Sequence, residues 1–415
     1  MKRETVSLLV LILMIGSFSP VLSGMSSQED DTQTQLADSP WPNFGGDERN
    51  TRRSPYNTSH IDGTTSWATG ELSHHEGGAT IVGDGNALIG ENGTIYFQTM
   101  FYLRAVNPDG TEKWECRIIS QDSVRDKLQS GAPVIGEDGA IYTGTATGKF
   151  HAIDPNGTIE WTFETETPIG HSPNIGHDGT IYFTSENALY ALNPDGTQRW
   201  NYSSGSFPLT RASPAIGEDG TIYVDHLAFY PNGSVKWDVP ARASLAPAVD
   251  EDGTIYLASN EVLTAVQPNG TVKWRYSSNE DIFSAPAIGK DGTIYLATSN
   301  DFRAINRNGT LRWKHSEGSY YENSPATGGD GTIYIASMHG KFYAFNENGT
   351  IQWEKHIDEG SKPYRYRSPV IDSNGRVYIQ QNKGGLLIFG YEGPEYNDDT
   401  SILPGFTTLS ILLSF

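Results

Sequence analysis

Between residues 172 and 202 the chain passes through four short stretches, SPNIG, GTIYFTS, ALYALN and TQRWNY. The first is short and apolar. In the other three, apolar and polar side chains alternate, which is the period of a β-strand with one buried face. Asp-Gly and Asn-Gly pairs between stretches supply the positive φ that a tight hairpin needs. The proline stands at the start of its stretch, where no ladder donor is lost. The pattern predicts four antiparallel strands joined by tight turns.

The unit recurs along most of the chain. A motif of the form Asp/Asn-Gly-Thr/Ser-x-x-Trp appears eight times and ends on Trp67, Trp114, Trp161, Trp200, Trp237, Trp274, Trp313 and Trp353. Eight tyrosines, Tyr96, Tyr142, Tyr182, Tyr223, Tyr256, Tyr295, Tyr334 and Tyr378, alternate with them and follow Gly-Thr-Ile or a near variant. Ahead of each tyrosine stands a Ser/Ala-Pro-x-Ile-Gly element, from GAPVIG at 131–136 to RSPVID at 367–372, with GATIVG at 78–83 read as the degenerate first copy. Four short strands every 37–47 residues are the mark of a propeller blade. The ends of the array are complementary. The last unit has no Trp-bearing strand, and the first Trp motif has no strands before it. An open solenoid has no use for such a deficit, whereas a ring closes if a strand near 65–69 completes the last blade and removes two sheet edges. The expected fold is therefore all-β, an eight-bladed propeller of four-stranded antiparallel blades. Each tryptophan is expected to dock between blades, where burying it contributes roughly 1.5–3 kcal/mol.

The repeated Leu-Tyr-Ala-x-Asn-Pro-Asp-Gly-Thr-x-x-Trp pattern closely resembles the pyrroloquinoline-quinone (PQQ) propeller repeat, and WPNFGGDERNTRRSPY at 41–56 resembles the lead-in of such proteins. The resemblance covers about residues 41–391. It implies the propeller fold. It leaves two functions open, because the family includes quinone-dependent dehydrogenases and also noncatalytic scaffolds such as the lipoprotein propeller of outer-membrane protein assembly.

Composition narrows the choice. Gly at 45, Pro at 22 and aromatics at 11% describe a turn-rich β chain. A net charge of −21 disfavours nucleic acid. The single cysteine, Cys116, excludes an intramolecular disulfide, including the pair of neighbouring cysteines found above the quinone in the alcohol-dehydrogenase branch. It reads as a buried small hydrophobe. Residues 1–24, with Lys2 and Arg3 before an apolar run, read as a secretory signal, and acidic residues 25–40 as a disordered linker. Residues 392–415 hold an acidic spacer, then Pro404-Gly405-Phe406 and an apolar run; this resembles the PGF-type C-terminal sorting signal of archaeal surface proteins, which implies attachment to lipid or membrane. The nine residues after Phe406 would span about 14 Å as a helix, short of the roughly 30 Å hydrocarbon core, and carry no closing basic cluster.

Little in the sequence speaks for chemistry. No catalytic set, phosphate loop, nucleophile elbow or zinc-type His pair appears, and neither metal nor cofactor is expected. Asp250-Glu251-Asp252-Gly253 and Asp372-Ser373-Asn374-Gly375 approach a calcium loop but stop at turn chemistry. Residues 115–130 lengthen one connection, as a surface insertion or a short lid. The loops entering the innermost strands should rim one mouth of the funnel. There His75, His171, Arg211, Tyr321, Asn323, Arg365 and Arg367 form the candidate binding rim. On an acidic protein, Arg211, Arg365 and Arg367 together suit an anionic or peptide ligand. Eight Asn-x-Ser/Thr sequons, six of them in the repeated Asn-Gly turns, make an exported glycoprotein chemically feasible. The expectation is a monomeric, secreted or cell-surface scaffold that binds protein, peptide or cell-surface glycan. The alternatives are a PQQ-dependent dehydrogenase, with quinone and calcium in the funnel, and a lyase or glycosidase using funnel carboxylates.

Overall fold

The computed structural model describes residues 36–68, 86–98, 101–119, 131–205, 209, 213–241, 243–316, 321, 323–357, 366–380 and 386–390, with the side chains of 65–68 left aside. The described strands form eight four-stranded antiparallel sheets, and no helix occurs among the described residues. In the third blade the order from the axis outward is Asn174–Ile175, Ile181–Thr184, Ala188–Leu192 and Gln198–Ser203. In the last sheet, Val370–Ile371, Val377–Gln380 and Leu386–Phe389 are followed by Thr65–Ala68, which pairs antiparallel with Leu386–Phe389. The innermost strand of the first blade, Leu88–Ile89, lies against Val370–Ile371 of the last.

The register explains the repeat. Tyr182 pairs with Ala191, and Ala191 with Trp200, so tyrosine, alanine and tryptophan stand in one row across three strands. The small alanine lets the two rings meet over it, with centroids 5.8 Å apart. The same row occurs in the other blades, except that Ile388 replaces alanine between Tyr378 and Trp67 in the last. One residue after the alanine the register slips, as at Ala191/Leu192, and the bulge turns the outer strand. The tryptophan then reaches the next blade. Trp200 Nε1 donates to the Pro231 carbonyl at 2.8 Å, and Trp114, Trp161, Trp237, Trp274 and Trp313 make the equivalent bond to the following turn. Trp353 donates to Ile61 at 2.9 Å, in the turn that leads to Thr65. Burial pushes the Tyr182 and Tyr223 hydroxyls up to about 12, so these phenols stay neutral and act by packing. Cys116 is buried, and burial raises its thiol.

Two expectations change. The innermost strand of the first blade is Leu88–Ile89, within GNALIG, and not GATIVG at 78–83. GNALIG runs straight into ENGTIY, the same spacing as in the other blades. Its Asn86-Ala87 in place of Ser-Pro hid it from a motif search built on proline. Residues 36–40, expected as the end of a disordered linker, are packed down. Leu36 is buried with Val134, Phe150 and Ile169, and Ala37 N–H donates to the Ile135 carbonyl at 3.0 Å.

Candidate functional site

An innermost blade strand is a sheet edge facing the axis, and its peptide groups need partners. Here residues 41–56 supply them. This strap passes round the axis and offers its carbonyls to successive blades. Ile89 N–H donates to Trp41, Ile135 to Pro42, Ile216 to Glu48, Val249 to Arg49, Ile288 to Thr51 and Thr327 to Arg52, all within 3.0 Å. Gly329 N–H donates to Tyr56 at 2.7 Å. In the third blade a side chain replaces the strap carbonyl: Asn174 Oδ1 accepts from its neighbour Ile175 N–H at 2.9 Å, and its amide donates to the Glu48 carbonyl at 2.8 Å. Asn50 sends its amide to the carbonyls of Pro214 and Pro247 at 3.0 and 3.2 Å. Turning the carbonyls outward requires a left-handed backbone at two non-glycine positions, Asn50 and Arg52, both with φ of 56°.

The strap contacts the ends of the innermost strands and the turns that follow them, including Glu251 through Arg53, and just after it Thr58 donates to Asp330. It therefore closes the mouth opposite the candidate rim, whose residues precede those strands. On the strap's outer side lies a cavity of about 520 Å³ lined by Asp38, Asp47, Glu48, Arg53, Tyr56 and Glu137, among others. Burial, then the neighbouring Glu48 charge, pushes the Asp47 carboxyl up to about 6. On the inner side, a belt of side chains links the starts of the innermost strands. Ala132 N–H donates to Ser172 Oγ, Ser172 to Ser213, Ala285 to Ser324, Ser324 to Ser368, and Ser368 to Asn86 Oδ1, at 2.8–3.1 Å. The serine of the Ser-Pro element is thus an acceptor for the preceding blade, a role the sequence motif contained but did not disclose.

Of the candidate rim, Tyr321 is fully buried and packs on Phe302 at 6.2 Å. Asn323 turns back into its own blade, its amide donating to the Ala336 carbonyl at 2.9 Å. His171 is half-buried, and Arg367 is half-buried with its backbone N–H on the Gln380 carbonyl at 3.0 Å. His75, Arg211 and Arg365 lie outside the described residues, as do residues 1–35, most of the 115–130 connection and 391–415. Sequence reasoning missed the strap's role. Its one signal was the lead-in at 41–56, which carries the ninth tryptophan, Trp41, outside the repeat.

Among the described residues no group of three or more His, Cys, Asp or Glu side chains could hold a metal ion. Trp41, Asn50 and Arg52 of the strap are all buried.

Comparison with known proteins agrees with the architecture. No curated protein matches the chain. Among solved structures, BamB from Moraxella catarrhalis is similar with a TM-score of 0.63 and 16% identity, covering 79% of this chain and 99% of that one. The quinohemoprotein alcohol dehydrogenase from Comamonas testosteroni gives 0.71 at 12% identity, covering 89% and 83%. A europium-containing methanol dehydrogenase gives 0.65 at 12% identity, covering 82% and 89%. At these identities the likeness is one of fold alone. A family model described as outer membrane protein assembly factor BamB matches residues 99–228 and again 226–401, and the chain belongs to that family of PQQ-like propellers.

Proposed function

We propose that this chain is a noncatalytic, extracytoplasmic propeller that acts as a binding or scaffold module at the cell surface, with protein, peptide or glycan as its partner. The observation that carries the reading is the strap. Its carbonyls accept backbone hydrogen bonds from six innermost strands, so those edges serve the fold. A quinone enzyme needs a cation site, and the described residues include no group of three or more His, Cys, Asp or Glu side chains to form one. Relatives described as BamB, an assembly factor, support a protein partner. The apolar N-terminal run and the PGF tail support export and surface attachment.

The test is direct. The purified chain is incubated with PQQ and calcium and assayed for dye reduction with alcohols and sugars, while tryptophan quenching reports quinone binding. No turnover and no saturable quenching are expected. Saturable quinone binding with turnover would overturn the proposal in favour of the dehydrogenase reading, which now rests on likeness of fold.

A further inference from the structure

In five blades the residue just before the docking tryptophan is basic, and it has a fixed seat. Arg199 in the third blade donates to Asp178 at 2.5 Å and to Thr180. Lys236 reaches Asp219 at 2.9 Å and Thr221 at 2.8 Å, and Arg312 reaches Asp291 at 2.5 Å and Thr293 at 2.6 Å. Lys273 takes Thr254 and Asp252 in the same way, and Lys113 takes Thr94, with Asn92 where the others have Asp. The bulge arranges this. It leaves one extra residue on the outer strand, and that residue is turned onto the first turn of its own blade.

The second blade breaks the pattern at both ends. Its bulge has the same register, with Ala152 opposite Trp161 and Ile153 opposite Ile159, so Glu160 is the extra residue. Glu160 thus stands in the place of the cation and Ala140 in the place of the threonine, while Asp138 is kept. Burial, then the charges of Asp138 and Glu160, pushes the Tyr142 hydroxyl up, so both carboxylates lie near that phenol. Among the described residues no Lys, Arg or His pairs with either carboxylate. A cavity of about 310 Å³ opens at this point, with Glu137, Asp138 and Tyr142 of the second blade on one side and Ile175 and Pro194 of the third on the other. Ligand sites begin at about 300 Å³.

We propose, resting on the scaffold reading above, that this cavity seats a lysine or arginine side chain of a partner protein, which brings from outside the cation that five other blades supply for themselves. The apolar stem lies along Tyr142, Ile175 and Pro194, and the charged head meets Asp138 and Glu160. Two carboxylates beside an aromatic ring suit an organic cation, since no group of three or more His, Cys, Asp or Glu side chains among the described residues could hold a metal ion. The net charge of −21 steers a basic segment toward the chain, and the seat then fixes one side chain of it.

The full chain is titrated calorimetrically with acetyl-Gly-Gly-Arg-Gly-Gly-amide and with the same peptide carrying citrulline, an uncharged group of the same shape, in place of arginine. One saturable site is expected for the arginine peptide, with binding of the citrulline peptide weaker by about tenfold or more. Glu160→Lys rebuilds the internal cation and should weaken the arginine peptide by about tenfold or more. Glu261→Lys makes the same charge change on an exposed turn of the fifth blade and should leave affinity within about twofold. Equal binding of the two peptides, equal loss in the two variants, or no saturable binding would overturn the seat. If Glu160→Lys does not fold, Glu160→Gln decides, with a smaller loss expected and an unchanged affinity refuting the site. Absent binding refutes the seat alone, whereas the scaffold reading falls only if the quinone assay shows turnover.

Discussion

Gly233 and Trp200 offer a sharp test of how one blade locks to the next. Gly233 has φ of 84°, and a Cβ built on it would lie 2.7 Å from Trp200 Cδ2. Gly233→Ala therefore carries two separable costs. The left-handed backbone costs roughly 1–2 kcal/mol whatever the surroundings. The clash displaces the indole from its seat, with loss of the Nε1 bond to Pro231, a further cost of about 1 kcal/mol, and of some packing on Tyr182. Trp200 is half-buried, so Trp200→Ala should cost about 2–3 kcal/mol, below the range for a fully buried tryptophan. In the double variant the clash has no partner and only the backbone cost remains. The two single costs should then exceed the double by about 1–3 kcal/mol. Differential scanning calorimetry or urea unfolding of the four proteins gives the cycle. Strict additivity would show that the glycine serves backbone conformation alone and that the indole does not dock on it, which would refute the packing argument for every blade.

Two further outcomes follow from the same geometry. Trp353→Phe keeps an aromatic ring but removes the 2.9 Å bond to Ile61, so it should cost about 1 kcal/mol; if the strand at Thr65–Ala68 is what closes the ring, deleting 65–68 should cost far more in thermal unfolding, and a deletion as mild as the substitution would remove that strand from the account of stability. Asp47, raised from 3.8 to about 6, holds its proton in the folded chain after the unfolded chain has lost it, so its contribution is fully present below about pH 4 and is lost as pH rises through about 6. The shift corresponds to at most about 3 kcal/mol. Asp47→Asn should flatten the pH dependence of the thermal midpoint between pH 4 and 7 relative to the unsubstituted chain, and superimposable curves would show that the carboxyl is not desolvated in the folded chain.

The repeat was legible because each of its parts does a local job that selects residue type. Asp/Asn-Gly is selected by a turn with positive φ, tyrosine and tryptophan by a half-buried row, alanine by the room two rings need above it, and proline by the start of an edge strand. From these alone follow the blade number, the four-strand order and the displaced first Trp strand. Where the residue types departed, the reading slipped: Asn86-Ala87 in place of Ser-Pro moved the first innermost strand to the wrong segment, and with it the register that nominated His75 for the rim.

The strap belongs to what only the tertiary structure decided. It binds the ring chiefly through main-chain carbonyls, which every residue possesses, so no periodicity marks it. The serine belt was hidden for a related reason, since an acceptor for a neighbouring blade is invisible until blades are neighbours. Arg52 shows the limit most plainly. Within the polar lead-in at 41–56 nothing sets it apart from Arg49 and Arg53, and only a ring assembled around it turns it into a buried cation without a hydrogen-bond partner. Local chemistry is written in residue type and spacing, whereas burial and charge pairing are properties of the closed assembly.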